Sequence, residues 1–483
     1  MISNEQQIES RNARLDSIKP AELKKCLMQI GYFPEANIFP PVYKVSITRS
    51  GQTSKKTTEP VGHFVTKSQQ KWRDFKLLKP ENYMQTVNTI VDNYDQLKAH
   101  FSKTKKILSY TSPIVYSDNR ERPGFQINNW LDMHKDMLAA SSENRLTHLV
   151  QIDIQSCYET LYTHTLEWAL GRLGSKFDLA IRRGNKNRTH GLPIGPYVSD
   201  ILAEVVLCWL DKNIEKELNN LDYLGYRYRD NYYFLCRGST ECEKILGAVS
   251  EKLRDAHFTV NDSKTRIGLY TEYQLSMWQT EHKLLVQSLG LKSKGAVFTN
   301  EKLQVFIDQS LKISERFNNS NNILEKTVNI ITEGDFKGII DFNNLFYSIS
   351  AMLPMRTLSY PKILAYLKKL TQQHPFKLGA IYKKFLINEI ENAYSRKDVF
   401  ALMWLTYVVA DIDDESIKTL ALDRLSKFRR KSKIISDMLT YVKDPAHNIT
   451  LWETNDSQIK LARKDYLSAD ALFDYLGISF GES

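Results

Sequence analysis

The chain is poor in cysteine and has no long apolar run, and both absences exclude broad classes of protein. Its 483 residues include only five cysteines, and no two of these form a C-x-x-C pair. This odd number and spacing argue against a disulfide framework and a zinc ribbon, and they favour a reducing compartment. The N-terminus lacks the apolar core of a signal peptide, and no apolar stretch approaches the ~18 residues of a membrane span. We therefore expect a soluble, cytoplasmic protein that does not bind to membranes.

Aromatic residues and positive charge, in contrast, are plentiful. With 25 Tyr, 21 Phe and 42% hydrophobic residues, the chain has enough buriable surface for several folded domains and is not disordered. The 66 Lys and Arg outnumber the 56 Asp and Glu, which leaves a net charge of +10. A surplus of cations favours a polyanionic partner such as nucleic acid, although in a long chain it can also serve solubility alone.

The sequence pattern changes twice along the chain. Residues 1–100 predict a helical opening that prolines interrupt within GYFPEANIFPPVY. Residues 101–290 alternate short strand-like and helix-like runs, which is typical of an α+β domain. In residues 291–483 apolar side chains recur at helical spacing, so we predict an all-α region with a boundary at GLKSKGA, 290–296. No fixed repeat is found, and a stacked-helix array stays an open alternative.

Two acids lie where a sheet would present them together. The strand-like run THLVQIDI contains Asp153 near its end, and LGYRYRDNYYFLC predicts a β-hairpin with Asp230 at its turn. Each acid alone has a structural explanation, because aspartates commonly cap helices and form turns. If the hairpin pairs beside the first strand, two neighbouring carboxylates repel each other unless a divalent cation lies between them. Such oxygen ligands suit Mg²⁺ that bridges phosphates.

A Gly- and Pro-rich turn and a basic loop lie between these acids in sequence. The turn GLPIGP leads into a helix that begins near Tyr197, and its glycines would allow a substrate to approach the backbone closely. The preceding loop contains four cations and no acid, and it suits either a phosphate backbone or plain solvation. The four cations are Arg182, Arg183, Lys186 and Arg188.

The order of four segments resembles the motifs A to D of reverse transcriptases. The segments are D-x-x-x-C-Y from Asp153, G-L-P-I-G-P-x-x-S-x-x-L-A from Gly191, Y-x-D-N from Tyr228, and F-T-V-N-D-S-K-T at 258–265. More narrowly, the chain looks like the bacterial defence-associated group that includes the abortive-infection enzymes and their relatives of unknown function. This resemblance implies right-hand polymerase fingers and palm, with fingers that begin within 1–100, followed by an α-helical, repeat-like C-terminal domain.

The resemblance implies roles for individual residues. Asp153 and Asp230, with the backbone carbonyl of Ile154, would bind two Mg²⁺ ions, or Mn²⁺ instead, while Lys264 would lie near the departing pyrophosphate. Tyr158 would act as a steric gate that excludes ribonucleotides, and its simpler interpretation is a core aromatic residue. The remaining substrate contacts would be Gly191, Pro193, Gly195 and Ser199 at the nascent base pair, and Arg120 and Arg122 at the triphosphate.

Asn231 departs from the family pattern, in which the motif C hairpin ends in two aspartates. The amide can still coordinate a metal through its oxygen but lacks the full negative charge, so we expect weaker metal binding or slower synthesis. Two functions therefore stay open. One is an active polymerase of antiphage defence that adds dNTPs on an RNA template or without template. The other is an inactive pseudo-polymerase that binds nucleic acid or a partner.

The implied partners are nucleic acid, either a non-coding RNA or product DNA, and dNTPs, with a homo-oligomer or a partner reverse transcriptase also expected. One further basic run, LDRLSKFRRKSK at 422–433, lies in the helical region. Its residues Arg429, Arg430 and Lys431 are candidates for nucleic-acid contacts, although charge runs are also typical of solvated surfaces.

Overall fold

A computed structural model gives the architecture. It describes residues 18–32, 38–41, 47, 55–68, 71–101, 104–111, 114–116, 124–126, 130–292, 295–317, 321–334, 341–353 and 359–444. Within these ranges strands occur only up to residue 269, and helices alone follow. The α+β fold with a helical C-terminal region is therefore confirmed. All five cysteines are free and buried, and no helix among the described residues is long and apolar enough to cross a membrane.

A five-stranded sheet lies at the centre of the first half. Its strands are β3 (Ile107–Ser109), β6 (His148–Asp153), β7 (Tyr223–Tyr228), β8 (Asn231–Cys236) and β9 (Arg266–Leu269). They lie in the order β3–β7–β8–β6–β9, and only the β3–β7 pair is parallel. Two separate hairpins are formed by β1 (Val61–Ser68) with β2 (Lys71–Leu77) and by β4 (Ile114–Tyr116) with β5 (Gly124–Gln126).

Helices cover both faces of the central sheet. The described helices up to residue 288 are α1 (Pro20–Cys26, continued by a π-helical turn, Leu27–Gly31), α2 (Pro80–Asp92), α3 (Tyr94–Phe101), α4 (Trp130–Asn144), α5 (Cys157–Thr160), α6 (Thr165–Leu170), α7 (Arg172–Gly184), α8 (Tyr197–Glu217), α9 (Ser239–Asp255), α10 (Tyr270–Leu275) and α11 (Trp278–Ser288). Alternate strand residues point to opposite faces. Val150 and Phe234 accordingly share a core with α8 and α9, whereas Leu149 and Leu235 share one with α4.

The helical region is a stack in which most helices pack on their neighbours in sequence. Its helices are α12 (Asn300–Arg316), α13 (Asn321–Thr332), α14 (Phe342–Ser350), α15 (Tyr360–Gln373), α16 (Pro375–Ser395), α17 (Val399–Val408), α18 (Glu415–Ser426) and α19 (Lys433–Lys443). Most of them also contact the second helix along the chain. Helix α17 is buried from Phe400 to Val408 and forms the middle of this core.

The β1–β2 hairpin, which the sequence pattern does not predict, joins the two halves. Val65 and Phe75 belong to the same apolar core as Trp404 of α17, and the Ser432 hydroxyl donates to the Gly62 carbonyl at 3.0 Å. On its other side, the Lys76 N–H donates to the carbonyl of Ile194 at 2.8 Å. The hairpin therefore contacts both the C-terminal helices and the Gly-Pro turn at 191–196.

Candidate active site

Asp153, Asp230 and Asn231 meet at one edge of the central sheet. Asp153 is the last residue of β6 and lies directly opposite Asn231, the first residue of β8. Tyr228 pairs with Asn231 across the β7–β8 hairpin, so Arg229 and Asp230 form its two-residue turn. The N–H of Ile154 donates to the carbonyl of Asp230 at 3.1 Å. The predicted hairpin beside the Asp153 strand is therefore present, and it brings the two acids together.

The two carboxylates are in an environment that disfavours two negative charges. Asp153 is buried and Asp230 is half-buried; desolvation raises the pKa of Asp230, and the negative charge of Asp153 raises it further. Lys264 opposes this effect, and its Nζ lies 3.0 Å from Oδ2 of Asp153. A cation at this edge would relieve the same repulsion. Lys264 thus contacts a predicted metal-binding carboxylate directly.

Asn231 is bonded to the acid that precedes it. Its Nδ2 donates to Oδ1 of Asp230 at 3.0 Å, and its side chain is half-buried. A second aspartate at this position would place a third negative charge beside Asp153 and Asp230, whereas the amide supplies a donor to one of them. Compared with an aspartate, the amide therefore reduces the negative charge at this edge and donates a hydrogen bond to one carboxylate oxygen of Asp230.

Asn261 contributes to the site, although the sequence analysis did not single it out. Its Nδ2 donates to Oδ1 of Asp153 at 2.7 Å, and its backbone N–H donates to the carbonyl of Asp153 at 2.8 Å. The hydroxyl of Ser263 donates to Oδ1 of Asn261 at 2.8 Å, which orients the amide nitrogen toward Asp153. The signal was its position in the segment FTVNDSKT, three residues before Lys264.

A buried ionic network beneath the hairpin was also missed. Arg227 of β7 is fully buried, and it donates to Asp211 at 2.9 Å through Nε and to Glu204 at 2.9 Å through Nη1. Nη1 also donates to the carbonyl of Arg229 in the turn at 3.1 Å. Glu204 and Asp211 lie seven residues apart, two turns along the buried face of helix α8, and this spacing was the available signal. The network fastens the Asp230 turn to α8.

Tyr158 lies on the same pocket as Asp230. Its hydroxyl donates to Oδ1 of Asp200 in α8 at 2.6 Å, and burial raises the pKa of Asp200. The ring is half-buried and packs against the apolar core that α8 shares with the sheet. The pocket is lined by Thr111, Tyr158, Tyr197, Asp200, Ala203, Glu204, Leu207, Arg229 and Asp230.

The Gly-Pro turn lies against the chain segment that carries Tyr158. The N–H of Leu192 donates to the carbonyl of Tyr158 at 2.7 Å. Gly191 has a φ of +83°, and a Cβ there would lie 3.0 Å from the carbonyl oxygen of Glu159. Gly195 has a φ of +121°, and a Cβ would lie 3.3 Å from the ring of Phe75. Both glycines thus allow close approach of the protein's own segments.

The other predicted site residues belong to separate segments of the chain. Pro193 and Ser199 are buried, and the Ser199 hydroxyl has no hydrogen-bond partner within the ranges given above. The predicted basic loop is partly helical, because Arg182 and Arg183 lie in the last turn of α7. Arg182 pairs with Asp178 at 2.8 Å, and Lys186 pairs with Glu59 at 3.1 Å. Arg183 is half-buried, and Arg188 is exposed. Arg429, Arg430 and Lys431 are exposed in a 3₁₀ turn. Arg120 and Arg122 lie outside the described residues.

Comparison with known proteins agrees with this geometry. Residues 67–293 match the family described as reverse transcriptase (RNA-dependent DNA polymerase). Apo telomerase from Candida tropicalis is a similar solved structure, with 11% identity, a TM-score of 0.33 and coverage of 68% of each chain. Telomerase from Candida albicans in complex with a fragment of telomeric RNA is another, with 12% identity, a TM-score of 0.31 and coverage of 68% of this chain and 65% of that one.

A third solved structure is similar over part of its length. A C-terminally truncated apo telomerase from Candida tropicalis is matched over 45% of this chain at 13% identity and a TM-score of 0.32, and the match spans 52% of that telomerase. No curated protein matches the chain. The fold is that of the reverse transcriptases, with a helical C-terminal region added to it. The family match covers residues 67–293 and leaves the helical region that follows outside it.

Proposed function

We propose that the chain is a DNA polymerase that adds dNTPs by metal-dependent phosphoryl transfer, on an RNA template or without template. The observation that carries the proposal is the meeting of Asp153 and Asp230 at one sheet edge, with Tyr158 on the pocket beside them. In this arrangement the pocket would hold the incoming nucleotide, and the edge would hold its phosphates.

The residues present fit the binding of Mg²⁺. Two repelling carboxylates, the Ile154 carbonyl and the Asn231 amide oxygen are hard oxygen donors, which Mg²⁺ prefers. Among the described residues no group of three or more His, Cys, Asp or Glu side chains could hold a metal, so substrate phosphates and water would complete the coordination. When bound, Mg²⁺ would stabilise the charge on the attacking and leaving oxygens. Asn261 would hold Asp153 in place, and Lys264 would move its contact from Asp153 to the departing pyrophosphate.

The biological setting is proposed on the motif resemblance. It points to antiphage defence by abortive infection, with a non-coding RNA or product DNA bound by the chain and with a homo-oligomer or a partner reverse transcriptase. Asn231 favours a second candidate, a catalytically silent subunit that binds nucleic acid. The amide of Asn231 donates a hydrogen bond to Asp230 and so stabilises this carboxylate in part, as a bound cation would otherwise do.

Incorporation of labelled dNTPs by the purified chain, with Mg²⁺ and with or without an RNA template, separates the two candidates. The polymerase should extend a primer or form covalently attached or free DNA, and chelation of Mg²⁺ should stop it. A chain that binds RNA but incorporates no dNTP with either Mg²⁺ or Mn²⁺ would instead be the silent subunit.

Asn231→Asp should lower the Mg²⁺ concentration needed for half-maximal incorporation by several-fold. The change removes the donor to Asp230 and adds a carboxylate, and ligand charge raises affinity for hard cations. The measurement is the rate of incorporation against Mg²⁺ concentration, with Asn231→Ala as the control that removes the donor without adding charge. Loss of synthesis in Asn231→Asp alone would show that the amide itself is required.

Tyr158→Ala should admit ribonucleotides and reduce discrimination against them by roughly tenfold or more, since a missing steric contact no longer excludes the 2′-hydroxyl. The readout is the ratio of kcat/KM for a dNTP and the corresponding rNTP. Tyr158→Phe retains the ring but loses the hydrogen bond to Asp200, so it should keep its selectivity. Equal selectivity in all three proteins would remove the gate function from Tyr158.

A further inference from the structure

A cluster of six rings lies outside the residues that line the pocket, and the proposed chemistry does not use it. Tyr162 is at its centre, with ring centroids 5.0 Å from His164, 5.0 Å from His190 and 5.2 Å from His257. Trp168 lies 5.9 Å from Tyr162, 5.8 Å from His257 and 6.1 Å from Trp209. We call this set the ring cluster.

The ring cluster faces solvent, unlike the aromatic residues of the sheet. Trp168 is 45% exposed, His190 and His257 are exposed, and Tyr162 and Trp209 are half-buried. The rings come from four separate segments, namely the segment from Tyr162 into α6, the loop before the Gly-Pro turn, α8, and the turn after α9. An open array of planar rings offers π-faces on which nucleobases of any sequence can stack.

Positive charge adjoins the ring cluster. The carboxylate of Asp178 lies 3.5 Å from Nδ1 of His164 and accepts a hydrogen bond from Nε of Arg182. Asp178 therefore connects Arg182, the first basic residue of the loop, with the rings. From residue 179 to residue 199 the chain contains no Asp or Glu but includes Arg182, Arg183, Lys186 and Arg188. Surfaces that bind single-stranded nucleic acid usually combine basic residues, which contact the phosphates, with aromatic rings, on which the bases stack.

The ring cluster is joined by short segments to the active site. The N–H of Thr163 donates to the carbonyl of Thr189 at 2.8 Å, in the same pair of segments in which Leu192 contacts Tyr158. His257 directly precedes the segment that carries Asn261 and Lys264 to Asp153. A single strand of nucleic acid bound to the ring cluster would therefore lie near Tyr158 and the pocket.

We propose that the ring cluster and the basic loop bind single-stranded nucleic acid by base stacking and phosphate contacts. The proposal rests on the proposed function for its biological use, but not for its test. A docking surface for another protein is the alternative. The composition favours nucleic acid, because the exposed side chains are flat rings with polar atoms and residues 179–199 contain four cations and no acid.

Binding of a fluorescein-labelled oligo-dT or oligo-rU to the full chain, freed of nucleic acid and measured in EDTA by anisotropy, tests the proposal. Trp168→Ala should raise Kd about tenfold with an unchanged salt slope, since one stacking contact is lost. Trp168→Phe, which keeps a ring, should stay within about twofold. Arg188→Ala should reduce the salt slope by about 0.7 for one lost phosphate contact.

Two further variants separate stacking from disturbed packing. His190→Ala removes an exposed ring without opening the contact between Trp168 and Trp209, and it should also weaken binding several-fold. Phe376→Ala removes a fully exposed ring in the helical region and should leave Kd unchanged.

The outcomes are distinct. Unchanged Kd in Trp168→Ala and His190→Ala would overturn the proposal, and a concurrent change in sedimentation would identify a protein interface instead. Ring-dependent oligonucleotide binding in a chain that incorporates no dNTP would support the ring cluster while refuting the polymerase. The reverse pattern, incorporation with binding insensitive to the rings, would refute only the ring cluster.

Discussion

Asp153→Asn and Asp230→Asn should each reduce Mg²⁺-dependent incorporation of dNTPs by about a hundredfold or more. Each change removes one of the two acidic ligands at the sheet edge, and a metal contributes several kcal/mol to stabilising the charge of the transition state. The two acids belong to different strands and are joined through the contact between Ile154 and the Asp230 carbonyl. The measurement is single-turnover incorporation at saturating dNTP and Mg²⁺.

The stabilities of these two variants should differ, which separates loss of chemistry from loss of structure. Burial and Asp153 raise the pKa of Asp230, so the folded chain disfavours its charged form, and the neutral Asp230→Asn should keep or raise Tm at pH 7. Asp153→Asn loses the ion pair with Lys264 instead. Asp222→Asn, at an exposed acid beside the same hairpin, should alter neither activity nor Tm. Incorporation that persists in both site variants would refute the proposed metal site.

Arg227→Met should lower the free energy of unfolding by about 3–5 kcal/mol. The change leaves Glu204 and Asp211 buried without their cation, and breaking a buried pair by removing one partner is strongly destabilising. Because Arg227 also donates to the carbonyl of Arg229, incorporation should fall even below the temperature of unfolding. Denaturant unfolding and incorporation at a temperature where the variant is folded measure the two effects.

Two comparisons make the Arg227 prediction specific. The triple variant Arg227→Met, Glu204→Gln, Asp211→Asn removes all the buried charge and should recover much of the lost stability. Arg237→Met breaks an exposed pair with Asp222 in the neighbouring segment and should cost less than about 1 kcal/mol. Equal losses in Arg227→Met and Arg237→Met would show that the buried network is not a major source of stability.

The sheet edge was predictable because its signals are local. Alternating β-branched and aromatic residues mark β6 and the β7–β8 hairpin, and the acids lie where those patterns end. Helix α8 was predicted to begin near Tyr197, after the Gly-Pro turn, and it begins there. Placing Asp153 beside the hairpin required only that neighbouring strands in one domain pair, which is their common behaviour.

The remaining features depend on residues far apart in sequence. Nothing near Arg227 marks it as buried, because its partners lie on α8 and its side chain would suit a solvent-facing strand position equally well. The contact between Gly62 and Ser432 spans 370 residues. The six rings of the ring cluster likewise come from segments between Tyr162 and His257, and only tertiary folding brings them together.

The β1–β2 hairpin also determines where the molecule can be divided. A fragment that ended at residue 293, the limit of the reverse transcriptase match, would leave the faces of Val65 and Phe75 without the α17 side chains that cover them. Such exposed apolar surface promotes aggregation. Strand β2, whose Lys76 N–H donates to the carbonyl of Ile194, would also lose the helical side chains packed against it. The half of the chain that contains the central sheet is therefore not a detachable module. A displacement of the C-terminal helices would be transmitted to the Gly-Pro turn through the hydrogen-bonded strands β1 and β2.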